Sequence, residues 1–301
     1  MPISVEAALD DQSSSAQSKA LMLRRTPTCY LMSSMLAGAY IGIAVVLVVM
    51  VSALFVTGKS PGVKLIQGSV FGIALTLVVF AGAELWTGNA MVMVQGLARG
   101  KASLADVIRV WIGSMVGNLI GSVGLSILVN ASGIMTLGGK KGEPSPYLVT
   151  LAGIVKGKVA LSASQLFFRA ILCNMLVCLA VWMAARAEGD AAKLICLWWG
   201  LLAFIASGFE HSVANMTVFS LAVFSHVGTW DEMWSNLAFT IPGNLVGGAL
   251  LVGAAYGWLG HRDHEPTETT SHSVPVRSDL AARVFESEVP YHPREAVPID
   301  A

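Results

Sequence analysis

The sequence predicts an all-α integral membrane protein of six transmembrane helices, arranged as two inverted three-helix repeats with one broken helix in each. Three observations carry this reading. Of 301 residues 54% are hydrophobic and only 13% are charged, whereas a soluble domain carries about 25% charged residues. The charges also avoid long stretches. Residues 26–58, 110–139 and 233–260 contain no Asp, Glu, Lys or Arg, and about 20 apolar residues cross the hydrocarbon core as a helix. Finally, a short polar motif inside an apolar run occurs twice at a fixed distance. A soluble enzyme, a nucleic-acid binder and a disulfide-stapled secreted domain are excluded. The 19 basic and 19 acidic side chains cancel, so no global field points to a polyanionic partner.

Taken in order, residues 1–28 form a polar cytoplasmic segment without the basic-then-apolar pattern of a signal peptide. Residues 29–260 form the transmembrane domain, with spans near 29–55, 63–98, 108–130, 163–186, 193–225 and 233–259. The second and fifth are interrupted rather than doubled. The run 85–98 has 14 residues, about 21 Å of helix, and only Glu84 separates it from 65–83. One residue cannot reverse a chain between antiparallel helices. Lys140–Pro146 reads as an external loop. Residues 261–301 are polar and dotted with proline, and read as a disordered cytoplasmic tail. Lys19, Arg24, Arg25, Arg99, Lys101, Arg109, Arg186, Lys193 and Arg262 fall on one side of this arrangement. Lys59, Lys64, Lys140, Lys141, Lys156 and Lys158 fall on the other. The bias puts both termini in the cytoplasm. Cys29, Cys173, Cys178 and Cys196 form no C-x-x-C pair and read as small apolar residues.

The repeat is visible in the interrupted spans. Glu84 is followed by Asn89, and 126 residues later Glu210 is followed by Asn215. At the same offset Gly117-Asn118-Leu119-Ile120-Gly121 matches Gly243-Asn244-Leu245-Val246-Gly247. Span one (Leu36 to Val45) loosely matches span four (Leu172 to Val181) at a slightly different offset. Three spans per copy is odd, so the copies insert with opposite orientation. Inverted repeats broken at matching positions mark a transport path.

Broken membrane helices leave backbone groups that only protein or a water-filled cavity can satisfy. Glu84, Asn89, Glu210 and Asn215 read as braces, the carboxylates accepting hydrogen bonds from the loop amides. Asn118 and Asn244 read as interhelical hydrogen-bonding residues, and the glycines near them as close packing. His211 stands inside the membrane region, while the other five histidines lie at 226 and beyond 260. An intramembrane ionisable group is a functional candidate, and imidazole titrates near neutral pH. Lys158, just before span four, reads either as a solvated loop lysine or as a cation drawing anions to the pore.

Ala81-Gly82-Ala83-Glu84-Leu85-Trp86-Thr87-Gly88-Asn89 and Ala206-Ser207-Gly208-Phe209-Glu210-His211-Ser212-Val213-Ala214-Asn215-Met216 resemble the paired signatures of the formate/nitrite transporter family. The resemblance spans about residues 20–260 and includes the stretch 171–183. It is strongest to the nitrite channel branch, through 71–78 and 198–212. It implies an aquaporin-like protomer, a homopentamer with one pore per protomer and lipid plugging the central axis, and pH-sensitive passage of small monovalent anions across the inner membrane. It also implies residue roles. His211 matches the central pore histidine, Thr87 the threonine of the first break, Asn174 a pore-facing asparagine and Lys158 the lysine near the pore. Phe71 and Phe204 match an outer hydrophobic constriction; Leu75, Leu85 and Val177 match an inner one. Trp86 stands where phenylalanine is usual, and Leu161 and Ser162 stand where a proline is expected.

The expected function is therefore passage of nitrite with proton coupling through His211. Formate or another short monocarboxylate is the alternative, since both anions are small and planar. A neutral-solute pore is disfavoured by the missing paired N-P-A signature. A membrane-embedded enzyme is disfavoured because His211 and Ser212 are adjacent, and successive helical side chains point about 100° apart. No G-x-x-x-x-G-K-[ST] motif occurs. No catalytic residue, metal or cofactor is expected.

Overall fold

The computed structural model describes residues 1–262. These form α1 (Val5–Arg25), α2 (Pro27–Thr57), α3 (Val63–Phe71), α4 (Ile73–Phe80), α5 (Trp86–Ala98), α6 (Leu104–Ala131), α7 (Pro146–Val159), α8 (Ala163–Arg186), α9 (Asp190–Ala206), α10 (Ser212–Phe224), α11 (Trp230–Leu245) and α12 (Ala255–Arg262). A π-helical stretch, Val246–Ala254, joins α11 to α12 without a break. The chain is thus all-α with six spans: α2, α3–α5, α6, α8, α9–α10, and α11 continuing through α12. Five stretches are long and apolar enough to cross a membrane, by length and composition: Pro27–Thr57, Val63–Phe80, Leu104–Ala131, Ala163–Arg186 and Trp230–Gly260. The fifth span in chain order is the composite α9–α10. Of the expected tail, residues 263–301 lie outside the described residues.

Local chemistry sets the ends. Ser103 with Asp106, Ser162 with Gln165, and Thr229 with Glu232 close capping boxes at α6, α8 and α11. Each satisfies two backbone donors that a helix start leaves open. Ser162, standing where a proline was expected, is the cap of α8. Glycines let the spans approach closely. A β-carbon on Gly121 would collide with the Met35 carbonyl of α2, and one on Gly247 with the Ile171 carbonyl of α8. These two contacts are related by the repeat.

Two helices stand outside the expected spans. Residues 1–28 contain α1, whose Ala8, Leu9, Ala16 and Ala20 are buried. The loop after span three is short, because Pro146 starts α7 with Ser145 as its cap. Lys158 therefore sits in the last turn of a helix, not in a loop. The polar residues of α1 and the 14-residue length of α7 keep both from reading as spans.

Candidate functional site

Each break opens with a helix end that only glycine accommodates easily. Gly82 and Gly208 have φ of 77° and 73°, a left-handed conformation that costs other residues. Just after them the Ala83 and Phe209 amides donate back to the Val78 and Phe204 carbonyls at 2.9 and 3.0 Å. The chain then runs extended to Leu85 and His211, the residues before α5 and α10.

Asn118 and Asn244 hold these extended segments. Asn118 Oδ1 accepts from the Trp86 amide at 2.9 Å, while its Nδ2 donates to the Ser34 and Glu84 carbonyls at 2.7 and 2.9 Å. Asn244 Oδ1 accepts from the Ser212 amide at 2.8 Å, and its Nδ2 donates to the Ala170 and Glu210 carbonyls at 2.8 and 2.9 Å. One buried amide thus meets an amide and a carbonyl of the break and ties them to a carbonyl of the neighbouring span, Ser34 in α2 or Ala170 in α8.

The carboxylates do something different from the expected capture of loop amides. Glu84 accepts from Lys19 Nζ at 2.6 and 2.8 Å and from Asn89 Nδ2 at 3.0 Å. Glu210 accepts from Lys158 Nζ at 3.0 and 2.9 Å and from Asn215 Nδ2 at 2.8 Å. The lysines come from α1 and α7, the helices that precede each half. A carboxylate in a lipid-embedded bundle is tolerable because it is paired and hydrogen-bonded on both oxygens.

The two breaks meet at Thr87 and His211. Thr87 Oγ1 lies 3.1 Å from His211 Nε2, and both residues are buried. His211 Nδ1 accepts from the Ala214 amide at 3.2 Å and so caps α10. An imidazole nitrogen that accepts carries no proton. In neutral His211 the proton is therefore on Nε2, and Nε2–H donates to Thr87 Oγ1.

A cavity of about 330 Å³ reaches His211 from the face of the bundle that carries α7. Its walls include Phe71 and Phe204, whose rings meet edge-to-face at 5.6 Å and 81°. Phe204 stacks on the His211 ring at 5.8 Å and 20°. Lys158 and Glu210 also line it. Leu75, Leu85 and Val177 are buried in the same apolar core but are not among the lining residues. Asn174 is not brought to the cavity either. It is fully buried, and its Nδ2 donates to the Thr87 and Asn244 carbonyls at 3.1 and 2.6 Å. Trp86, at the start of α5, is buried as well.

Sequence reasoning missed three participants. Lys19 lies in the N-terminal segment, and Lys64, at the start of span two, lines the cavity. Arg169 also lines it. A lone charge inside span four was the signal that could have found Arg169.

Half-helices meeting head to head inside a bundle, with an amide and a carbonyl of each break met by a buried asparagine, are the construction of a membrane channel or transporter. That is the class the fold defines. The chain belongs to the formate/nitrite transporter family, whose model matches residues 6–258. It is 38% identical over 244 residues to the nitrite transporter NirC of Escherichia coli (strain K12), covering 80% of this chain and 87% of that one. Among solved structures it is similar to an FNT family ion channel, with a TM-score of 0.77 and 36% identity over 84% of this chain and 98% of the other. A pentameric formate channel with formate bound gives a TM-score of 0.65 and 28% identity over 78% of this chain and 97% of the other. The family is one of transporters and channels, not of enzymes.

Proposed function

We propose that this chain passes nitrite across the inner membrane as a homopentamer with both termini cytoplasmic, and that a proton accompanies the anion through His211. One observation carries the reading: a capped imidazole that lines the cavity together with Lys64 and Lys158, and whose Nε2–H faces the buried Thr87 of the other break. Similarity to a nitrite transporter supports the substrate, and similarity to a pentameric channel supports the assembly. A bare anion loses strong hydration where Phe71 and Phe204 close the path. Protonation to the neutral acid removes most of that cost.

The tautomer dictates the order of events. Neutral His211 cannot give up Nε2–H without becoming an anion itself. A proton must first arrive at Nδ1, where it displaces the Ala214 amide. The Nε2 proton then passes to an anion oxygen. Proton coupling therefore loosens the first turn of α10. In this reading Asn174, Asn89 and Asn215 hold the two breaks in register, and Leu75, Leu85 and Val177 form the inner constriction.

Flux of nitrite, formate, nitrate and chloride into proteoliposomes across a pH series tests the proposal. Nitrite flux should exceed that of protein-free vesicles and rise as pH falls, with chloride excluded. Nitrite flux no greater than background at any pH overturns it. Formate passage is the second reading, favoured by the likeness to the formate-bound channel. Formate that outcompetes nitrite at equal concentration would establish it.

A further inference from the structure

The mouth of the cavity carries two cations that the paired lysines do not explain. Lys64 stands in the first turn of α3 and Arg169 in α8, and both line the cavity with Lys158. Their heads converge on Gly208. Arg169 Nη1 donates to the Gly208 carbonyl at 3.3 Å. Lys64 Nζ lies 3.9 Å from the point where a β-carbon on Gly208 would stand. Beyond Gly208 and its chain neighbours, no other side chain or backbone atom stands within 4 Å of that point.

The charges there do not balance. Lys64, Lys158 and Arg169 face a single carboxylate, Glu210, among the described lining residues. Both Glu210 oxygens are engaged by Lys158. Among the described residues, neither Lys64 nor Arg169 forms a salt bridge. Two positive charges thus remain without a carboxylate at the entrance to a narrow, apolar-walled cavity. Such walls focus the field and raise the local concentration of counter-ions.

We propose that Lys64 and Arg169 form an anion seat in front of the Phe71–Phe204 slit, separate from Lys158, that takes a small monovalent oxyanion before it reaches His211. This rests on the anion-passage reading above. A guanidinium presents a planar fork to two oxygens, and an ammonium supplies a compact charge beside it. Nitrite and formate, each with two oxygens on one atom, fit that chemistry. The seat would set how much anion is captured at low concentration, whereas His211 governs what happens beyond the slit.

The test uses the full-length protein and sodium nitrite as the probe. Lys64→Gln, Arg169→Gln and the double variant are compared with the charge-keeping pair Lys64→Arg and Arg169→Lys. Nitrite binding is followed by calorimetric titration in a nonionic detergent, where no lipid phosphate competes. Flux is measured in neutral-lipid vesicles at several ionic strengths. Removing both charges should weaken binding and raise the half-saturating concentration by about ten-fold, since focused fields alter local ion concentration by 10–10³. The fall of flux with added salt should flatten. The charge-keeping variants should retain both the binding and the salt dependence. A double variant that elutes as the parent does and keeps its titration curve and salt dependence overturns the seat. Loss of the salt dependence in the charge-keeping variants also overturns it, because the side chains would then act by shape. If the parent itself passes no nitrite, the transport reading fails while the titration still decides the seat.

Discussion

Thr87 and His211, 124 residues apart in the chain, are joined by a 3.1 Å hydrogen bond that ties the first broken helix to the second. His211 is held on its other nitrogen by the Ala214 amide. The ring is thus fixed by one contact from each half, and its proton has a defined place.

His211→Asn is the substitution that isolates titration from shape. Asparagine is a good N-cap, so its Oδ1 can replace Nδ1 as acceptor for the Ala214 amide. It cannot titrate. The variant should still pass anions but lose the accompanying proton flux. The check is lumen acidification per nitrite moved, after subtracting protein-free vesicles. Acidification equal to the parent's would remove His211 as the coupling group.

Phe71→Ala and Phe204→Ala test the proposed slit. Each ring is almost fully buried and leans on the other. We expect larger anions to leak, at a stability cost of up to about 3–5 kcal/mol, the usual range for buried Phe→Ala. Relative permeabilities of nitrite, acetate and larger carboxylates report it. Unchanged size selectivity in both variants would refute the slit.

Lys158 and Glu210 should be strongly coupled. Removing one partner leaves a buried charge alone, a loss of about 3–5 kcal/mol, whereas replacing both is far milder. Lys158→Met and Glu210→Gln singly should lower the thermal midpoint in detergent much more than the double variant does. Additive losses would mean that the two side chains act independently.

Asn244→Asp keeps the acceptor for the Ser212 amide but cannot donate to the Ala170 and Glu210 carbonyls. Two buried acceptors lose a donor, and each such loss costs about 1–3 kcal/mol. A negative charge is also added beside Glu210. The thermal midpoint should fall clearly, and Asn118→Asp should do the same in the other half. A midpoint within error of the parent's for both would show that these amides are not what holds the breaks.

Assembly is open to direct measurement. Native mass spectrometry in mild detergent should give a pentamer. A monomeric mass as the main species would contradict it.

The spans and breaks were legible because their signals are strong. Charge-free runs set the helices, and the recurrence of Glu84 and Asn89 at Glu210 and Asn215 located the interruptions. Span one matched span four at an offset of 136 residues in sequence, and the same offset relates the Ser34 and Ala170 carbonyls that Asn118 and Asn244 contact. The lysine partners were not legible. Lys19 lies on a polar helix and Lys158 near the end of an apolar helix of 14 residues, too short to read as a span, and which carboxylate each reaches is decided by packing. The place of Asn174 was also hidden. Residue type cannot say whether an amide faces a pore or a neighbouring carbonyl.

The lysine pairs show that each half draws its cation from a helix ahead of its first span. Glu84 and Glu210 lie inside their repeats, but Lys19 and Lys158 come from helices of 21 and 14 residues that precede span one and span four. A unit of three spans would lack the cation its own carboxylate requires. Each half is thus self-sufficient in charge only as a leading helix plus three spans. The natural seam is the turn at residues 138–145, ahead of α7 rather than ahead of α8. Cut there, the chain falls into two fragments that each hold a complete lysine–glutamate–asparagine cluster. Cut between α7 and α8, it would strand Lys158 on the wrong piece.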